Sequence, residues 1–569
     1  MAVDGELVLF PDSLEQVYTQ ASVNKQSKRW SQLTETFKKS YAHPPQFVAR
    51  APGRVNIIGE HIDYCGFSVL PSAIEPDLLI ATSVEYADEA SSDFVSSDRT
   101  IQVQAINVNR SYPEVSFDYQ LSGKIPIDNG GWSDYLKSAF NTTLDHLRSS
   151  SSHGGKVRQP TSIKFLIDGT VPAGSGLSSS AAISTASVLA VLYIHQSANQ
   201  HIPKTLAASL AIASEQACGV SIGGMDQTAS VFGQPAKLLH IEFTPTIKVV
   251  PLELPGLPST TFIIANSLVT SNKLDSAKEQ YNLRVVECRI ANRILSDKLL
   301  KGKQPYPKDL KELVELYSPK QTIPHAIQLV LDNLSDAQLL GGDEGLTQDA
   351  VLENLGINQT QFEAEILNGM VVEPRGGIFK PYNRARHVLT EALRVYRFRE
   401  LLEKTVDSGN REEVILSIGQ LMNESQKSCR EDYECSCEAL DELISIAQTN
   451  GSLGSRLTGA GWGGSSVHLV RDPDISKIIE ALKSKYYCIK FPNLSTQELA
   501  DACFATKPEG GACLFTNLKQ AEDPEYDFEA DMALLKQEIL ASHHPSALKG
   551  LMKKLRQVRS NTRLVPIAK

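Results

Sequence analysis

Four ionisable side chains crowd into one short segment of this 569-residue chain. Arg54, Glu60, His61 and Asp63 fall within ten residues, around two glycines, in a segment otherwise apolar enough to be buried. Burying so many charged groups is costly unless they pair with one another or with a polar ligand. A pocket for a polyhydroxylated ligand would satisfy them, since carboxylates accept from hydroxyls while Arg and His donate. A structural cluster of salt bridges at a turn is the alternative that these residues leave open.

A loop of small residues at 172–182 is the second stretch that could do chemistry. It lies between a strand-like run and a helix-like run, where free backbone N–H groups and the helix dipole bind phosphate. Its sequence is neither a Walker A loop nor a dinucleotide-binding G-x-G-x-x-G motif. Its serines can donate to a phosphate or bind Mg²⁺, and a serine-rich helix N-cap is the alternative. The candidate anion-binding residues are Gly174, Ser175, Gly176, Leu177, Ser178, Ser179 and Ser180.

A third stretch, 454–465, is dominated by glycine. Ordering that many glycines costs entropy, so they are best explained where the backbone approaches a ligand or another backbone closely. Two carboxylates stand apart from these stretches. Asp226, among glycines and apolar residues, is a candidate base, and Glu215, eleven residues earlier, is a candidate ligand for a phosphate-bound Mg²⁺. Without the other motifs, ordinary helix-end carboxylates are the better explanation of both.

The elements that must position these residues follow from hydrophobic periodicity. Helices are predicted over 14–41, 178–196, 205–218 and 281–298, strands over 162–167, 239–243 and 261–265, and a mostly helical insertion over 301–381. Strand and helix patterns mix without a regular βαβ rhythm, which favours an α+β fold.

Composition narrows the class of protein. The chain has 56 Lys+Arg against 66 Asp+Glu, a formal net charge of −10, which argues against a nucleic-acid binder. Nine scattered cysteines predict reduced thiols in the cytoplasm rather than a disulfide framework. The trio Cys429, Cys435 and Cys437 lacks the paired spacing of most zinc sites. No apolar stretch is long enough to cross a bilayer, so no membrane association is expected.

Taken in order, the charged segment, the Gly-Leu-Ser-Ser-Ser-Ala loop and the late Gly-Ala-Gly-Trp-Gly-Gly stretch resemble the galactokinase branch of the GHMP small-molecule kinases. The resemblance continues through 224–227, 272–273, 281–284, 429–437 and 505–511 and spans roughly 30–516. It implies a two-lobed α+β fold of mixed sheets packed with helices, with the active site between the lobes. The implied organisation is an N-terminal extension (1–30), an N-terminal lobe (31–245), a C-terminal lobe (246–516) containing the insertion, and a charged tail (517–569).

The resemblance also implies roles for individual residues in phosphoryl transfer from ATP to the C1 hydroxyl of galactose. Asp226 would be the catalytic base, and Arg54 would keep it ionised and stabilise developing charge. Ser180 and Glu215 would serve Mg²⁺. The implied sugar-binding residues are Arg54, Glu60, His61, Asp63, Gly223, Asp226 and Tyr281. The implied ATP-binding residues are the 174–180 loop, Asn272, Lys273 and Trp132, the last as an aromatic flanking the adenine.

Two other functions within reach of the resemblance remain open. An N-acetylgalactosamine kinase is the first, although Tyr281 favours galactose because that branch has Phe there. The second is a galactose- and ATP-dependent inducer that binds a transcriptional repressor; inducers that have lost catalysis carry a deletion in the Gly/Ser loop, whereas 176–182 is complete here. We expect a cytoplasmic monomer. The tail, acidic and then basic, resembles nothing in the family.

Overall fold

The computed structural model describes residues 6–86, 99–128, 130–151, 158–196, 201–219, 223–254, 259–269, 277–301, 305–334, 338–408 and 410–518. The strands in chain order are β1 Phe47–Ile58, β2 Leu70–Tyr86, β3 Ile101–Asn107, β4 Val115–Tyr119, β5 Pro160–Gly169, β6 Lys237–Glu242, β7 Lys248–Glu253, β8 Thr260–Asn266, β9 Leu346–Thr347, β10 Ile378–Phe379, β11 Gly454–Thr458, β12 Ser465–Arg471, β13 Cys503–Thr506 and β14 Cys513–Phe515.

The helices in the same part of the chain are α1 Gln20–Tyr41, α2 Ser133–Ser151, α3 Ser179–His195, α4 Lys204–Ala217, α5 Met225–Phe232, α6 Tyr281–Leu300, α7 Leu310–Tyr317, α8 Ile323–Leu334, α9 Gln348–Leu355, α10 Gln359–Gln361, α11 Pro381–Ser408, α12 Arg411–Glu431, α13 Glu438–Thr449, α14 Ile475–Leu482, α15 Cys488–Lys490 and α16 Thr496–Ala502. Short 3₁₀ turns cover Leu14–Gln16, Asp63–Cys65, Gln338–Leu340, Arg375–Gly377 and Asp472–Asp474, and π-helical turns cover Phe362–Leu367 and Lys483–Tyr487.

Two larger sheets organise the fold. The first has six strands in the order β14-β1-β2-β5-β3-β4, in which only the β3–β5 pair is parallel, and the second has four antiparallel strands in the order β11-β12-β8-β13. The sheets meet where Asn56 N–H donates to Thr458 Oγ1 at 2.9 Å. Strand pairs β6–β7 and β9–β10 form separate ribbons. Mixed sheets with segregated helices make this an α+β fold, as predicted.

Helix α3 lies at the centre of the first layer because its sequence is apolar or small on every side. All but three of its residues are buried, and it packs against β1, β2, α2 and α4. A helix without a polar face is stable only inside a protein. Its burial fixes the position of its N-terminus, where the Gly/Ser loop ends.

Helix α1 covers the other face of the first sheet. The Trp30 ring packs on the Phe515 ring of β14 with centroids 4.5 Å apart, and Val17 and Tyr18 are buried with it. Residues near the end of the predicted N-terminal extension therefore belong to the core of the first layer. Likewise β14, from the end of the predicted C-terminal lobe, is an edge strand of the first sheet.

The predicted elements agree closely with the observed ones. The helix predicted over 178–196 is α3, that over 205–218 is α4, and that over 281–298 is α6, while the insertion at 301–381 contributes α7 to α10 and the short β9–β10 ribbon. Among the residues described, no helix combines the length and apolar character needed to span a membrane. The charged tail lies almost entirely outside the described residues.

Candidate active site

Two of the stretches singled out from the sequence converge on the carboxylate of Asp226. Arg54 Nε donates to Asp226 Oδ1 at 2.7 Å, and Ser178 Oγ donates to Oδ2 at 2.6 Å. Arg54 Nη1 also donates to the Gly176 carbonyl at 2.5 Å, which ties β1 to the Gly/Ser loop. The Arg54 side chain is buried, whereas that of Asp226 is 20% exposed. The carboxylate is thus held by at least these two donors and remains partly exposed to solvent.

Asp226 owes its position to the start of α5. Gly224, the N-cap of α5, has φ 101°, a conformation that a side chain rarely adopts. The neighbouring Gly223 is equally constrained, because a Cβ there would lie 2.1 Å from Asp63 Oδ2. The backbone N–H groups of Tyr64 and Met225 lie close enough to the Asp63 carboxylate to favour its ionised form. Asp63 and Asp226 therefore lie near each other at the start of α5.

Glu60 accepts a hydrogen bond from a buried arginine, Arg456, that is not among the residues predicted from the sequence. Arg456 Nη2 donates to Glu60 Oε2 at 3.1 Å, and Asn56 Nδ2 reaches the same oxygen at 3.2 Å. Arg456, on β11, lies in the glycine-rich stretch 454–465, so its neighbours give no indication of a role in the site. The signal in the sequence is that Arg456 is the one charged residue of that stretch.

Burial raises the pKa of two carboxylates of this site, those of Glu60 and Asp63. It raises the pKa of Glu60 to about 7, with Arg456 and Arg54 opposing the shift. It also raises the pKa of Asp63 to about 6, and the neighbouring Asp226 adds to that shift. Charged groups crowded into a low-dielectric pocket commonly mark a functional site.

His61 is neutral and has both ring nitrogens engaged. Burial lowers its pKa to about 3. Nε2 lies 2.9 Å from the Ala460 carbonyl, which can only accept, so the proton is on Nε2 and Nδ1 accepts from the Tyr64 hydroxyl at 3.0 Å. The Tyr64 hydroxyl lies 2.5 Å from that of Tyr433. Direct contact between His61 and a sugar remains a prediction.

Tyr281 is the first residue of α6 and packs beside His61 and Tyr64. Its ring centroid lies 5.7 Å from that of His61 and 5.5 Å from that of Tyr64. Burial, together with the charges of Asp63 and Asp226, raises its pKa well above the usual value. Beside Tyr64 and Tyr281 is a cavity of about 500 Å³, whose wall includes Cys65 and Cys288.

The glycines of the second and third stretches pack backbone against backbone. A Cβ on Gly176 would lie 2.9 Å from the Thr458 carbonyl oxygen, and one on Gly459 would lie 2.7 Å from that of Gly176. Ser465 Oγ donates to the Ser175 carbonyl at 2.7 Å. The expectation of close backbone approach is confirmed. The second sheet therefore supports the Gly/Ser loop directly.

The remaining loop residues lead into α3. Ser178 is its N-cap with φ 63°, Ser179 and Ser180 are its first two residues, and Leu177 is buried with its carbonyl accepting from Arg54 N–H at 3.1 Å. Gly174 lies at the exposed rim. The first turn of an α-helix leaves its N–H groups without acceptors inside the helix, so the start of α3 has the local geometry that anion binding uses.

Glu215 lies on α4, which packs against α3. Its buried side chain accepts from Gln227 Nε2 at 2.5 Å. In the described residues no cluster of three or more His, Cys, Asp or Glu side chains is arranged to hold a metal ion. One carboxylate and a serine hydroxyl nonetheless suit Mg²⁺, which commonly takes its other ligands from phosphates and water.

The predicted nucleotide contacts are only partly described. Half-buried Trp132 lies just before α2, and its Nε1 donates to the Pro113 carbonyl at 3.1 Å, so the ring is fixed against the loop between β3 and β4. Asn272 and Lys273 lie outside the described residues.

Family models match three parts of the chain. A galactokinase galactose-binding signature matches residues 35–84, the GHMP kinase N-terminal domain matches 134–234, and the GHMP kinase C-terminal domain matches 408–488. The first match contains the charged segment, and the second contains the Gly/Ser loop, Glu215 and Asp226.

Curated relatives cover most of the chain. A galactokinase of Saccharomyces cerevisiae is 35% identical, over 85% of this chain and 94% of its own length. A galactokinase of Dictyostelium discoideum is 36% identical, over 89% of this chain and 97% of its own length. The crystal structure of Lactococcus lactis galactokinase complexed with galactose is similar in fold, with TM-score 0.59 and 23% identity, over 85% of this chain and 98% of that one.

Proposed function

This chain belongs to the galactokinase family of the GHMP kinases, and we propose the role of each site residue in the phosphorylation of galactose. The enzyme is a sugar kinase that transfers the γ-phosphoryl group of ATP to α-D-galactose, giving galactose 1-phosphate and ADP, the entry step of the Leloir pathway. The observation that carries the assignment of roles is the Asp226 carboxylate, held by Arg54 and Ser178 and partly exposed to solvent.

Asp226 is the base in this proposal. A carboxylate has about four acceptor positions, so it can accept the C1 hydroxyl of the sugar while keeping both donors. As the C1 oxygen bonds to the γ-phosphorus and ADP leaves, the hydroxyl proton passes to Asp226. Because the transition state is loose, positioning and charge neutralisation supply most of the acceleration. Arg54, bridging Asp226 and the Gly176 carbonyl, supplies positive charge on the line between the sugar and the phosphate loop.

Glu60, Asp63, Gly223 and Tyr281 form the sugar-binding side. Both donors to Glu60 reach Oε2, so we expect a sugar hydroxyl to approach Oε1. Asp63 offers a second acceptor beside the Gly223 turn. His61 contributes through Tyr64, whose hydroxyl it orients.

The phosphates of ATP bind the N–H groups of the 174–180 loop in this proposal. The resemblance to the family assigns Asn272 and Lys273 to the nucleotide and Trp132 to the adenine. Mg²⁺ held by Ser180 and Glu215 would neutralise phosphate charge. Replacing Glu215 by Gln should raise the Mg²⁺ concentration for half-maximal rate by about tenfold or more, because the amide is a poor Mg²⁺ ligand. An unchanged Mg²⁺ dependence would show that Glu215 does not serve Mg²⁺.

The activity test is ADP release by the purified full-length chain with ATP, Mg²⁺ and either galactose or N-acetylgalactosamine. Galactose should be used with the higher kcat/KM; a preference for the acetylated sugar would reverse the substrate assignment. We further propose that the enzyme works as a cytoplasmic monomer without a nucleic-acid or membrane partner. Binding to a transcriptional repressor remains a separate possibility, tested by co-purification in the presence of both ATP and galactose.

A further inference from the structure

The backbone of Glu60 is held from both ends by one distant helix. Glu391 Oε1, on α11, accepts from the N–H of Gly59 at 2.9 Å and from the N–H of Glu60 at 3.3 Å. One turn earlier on α11, His387 Nε2 lies 3.0 Å from the Glu60 carbonyl oxygen. Residues four apart share a helix face, so the two side chains act on the same turn of backbone.

The turn that they hold is conformationally demanding. Gly59 has φ 106° and His61 has φ 62°, so two residues separated only by Glu60 lie in the left-handed region. For a histidine that conformation is unfavourable and persists only where surrounding contacts enforce it. The direction in which the Glu60 side chain leaves the backbone depends on this turn.

Glu391 is a fully buried carboxylate, and both of its oxygens accept hydrogen bonds. Besides the two N–H groups, Oε1 accepts from Ser425 Oγ at 2.7 Å, and Oε2 accepts from Arg394 Nη1 at 2.7 Å. Burial alone would raise its pKa, but Arg394 and Arg456 outweigh that effect and lower the pKa to about 2. Glu391 is therefore an anion throughout the physiological pH range, and its N–H bonds are charge-assisted.

His387 completes the arrangement as a neutral donor. Burial lowers its pKa to about 4, with the nearby Glu391 opposing that shift. Since the Glu60 carbonyl can only accept, Nε2 carries the ring proton, and Nδ1 faces Ser428 Oγ at 2.9 Å. The Glu60 peptide thus has its donor bound to an anion and its acceptor bound to an imidazole N–H.

We propose that Glu391 and His387 are positioning residues for sugar binding. They fix the Gly59–His61 turn and thereby aim the Glu60 carboxylate at the sugar, without touching the sugar themselves. This inference rests on the proposed role of Glu60 in galactose binding. The rival explanation is a cross-link between α11 and β1 that stabilises the fold and has no specific effect on the sugar.

The test is Glu391→Gln in the full-length enzyme. Glutamine keeps an oxygen for the N–H groups but removes the charge and sets an NH₂ group against Arg394. The galactose KM should rise at least about tenfold while the ATP KM stays within about twofold and kcat within about threefold. A galactose KM within about twofold of wild type in a folded variant overturns the proposal, as does an equal rise in both KM values.

The chain offers a matched control in Glu509. It is also a fully buried glutamate, and it accepts from Thr19 N–H at 2.6 Å and from the Thr19 and Ser22 hydroxyls at 2.6 and 3.0 Å, but at the start of α1. Glu509→Gln should lower the melting temperature without changing the galactose KM. If it raises the galactose KM as much as Glu391→Gln does, the effect is general destabilisation and the proposal is wrong.

A milder variant covers the case in which Glu391→Gln does not fold. Ser425→Ala removes one hydroxyl from Glu391 Oε1, and it should raise the galactose KM by about threefold with the ATP KM unchanged. No change in the galactose KM would overturn the proposal. Failure of the proposed function would look different, because the wild-type enzyme would then release no galactose-dependent ADP.

Discussion

Ser178 Oγ lies 2.6 Å from Asp226 Oδ2, so the N-cap of α3 and the first turn of α5 are joined by a hydrogen bond. If the proposed roles are correct, the Gly/Ser loop would contribute to the reaction in two ways. Its N–H groups would bind the phosphates of ATP, and its Ser178 hydroxyl would orient the carboxylate that we propose as the base.

Replacing Asp226 by Asn should abolish turnover with little effect on folding. The amide cannot take up the C1 proton, and a positioned general base is worth about 10²–10⁴-fold in rate. Steady-state ADP release measures the loss, and circular dichroism checks the fold. Turnover within about tenfold of wild type would exclude Asp226 as an essential base.

Replacing Ser178 by Ala should lower kcat by about three- to tenfold, since one hydrogen bond to a charged carboxylate contributes on the order of 1 kcal/mol. The backbone conformation at φ 63° should persist, because alanine replaces another residue with a Cβ. Equal kcat values for the alanine variant and wild type would mean that the Ser178 hydroxyl does not help to orient Asp226.

Galactose kcat/KM should fall on the acid side of neutrality. Burial raises the pKa of Glu60 to about 7, and sugar hydroxyls donate to its ionised form. The ionised fraction of such a group drops roughly tenfold between about pH 8 and about pH 6. His61, whose pKa is lowered to about 3 by burial, stays neutral throughout and adds nothing to the profile. A pH profile of kcat/KM that is flat over this range would refute the assignment.

The stability of the sugar-free enzyme should change with pH in the opposite sense. A carboxyl whose pKa rises from 4.5 to about 7 on folding binds its proton more tightly in the folded state. Its contribution, on the order of 3 kcal/mol, is present in full below the unfolded value and is lost as the pH rises through about 7. Chemical denaturation of wild type and Glu60→Gln tests this, because the variant should show a smaller loss of unfolding free energy between about pH 5 and about pH 8.

Replacing Gly459 by Ala should damage ATP binding. The φ of Gly459 is 86°, and a Cβ there would lie 2.7 Å from the Gly176 carbonyl oxygen, so the Gly/Ser loop must move. We expect the ATP KM to rise by about tenfold. Gly356→Ala is the matched control, since Gly356 has φ 62° but no atom within 4 Å of its Cβ position. That control should lose about 1 kcal/mol of stability and leave the ATP KM unchanged.

The sequence predicted the site residues that cluster within short segments better than the distant segments that contact them. Arg54, Glu60, Asp63 and the 174–180 loop were visible because charge or glycine clusters within a few positions. The pairing of Gly176 with Gly459 was foreseen only as a close approach to some backbone, because periodicity says nothing about which distant segment is the partner.

The residues that escaped prediction lie on ordinary helices and strands. His387 and Glu391 are spaced four apart on a long helix, and the surrounding charges of α11 hide them. The available signal was that both occupy the apolar face with Val388, Leu389, Ala392 and Val395, where a charged side chain needs a partner. The sequence could not name that partner, the Glu60 backbone, which lies more than 300 positions away.

The pairing of β14 with β1 has a consequence for biosynthesis. Val48, Ala49 and Arg50 are paired with Phe515, Leu514 and Cys513, so the first sheet gains its edge strand only after nearly the whole chain has left the ribosome. Until then the edge of β1 is unpaired and the apolar surface under Trp30 is exposed, so both can associate with other chains. Chaperones bind such exposed surfaces and prevent aggregation. Nascent chains stalled before residue 513 should therefore be captured by chaperones even though the first five strands have already been made.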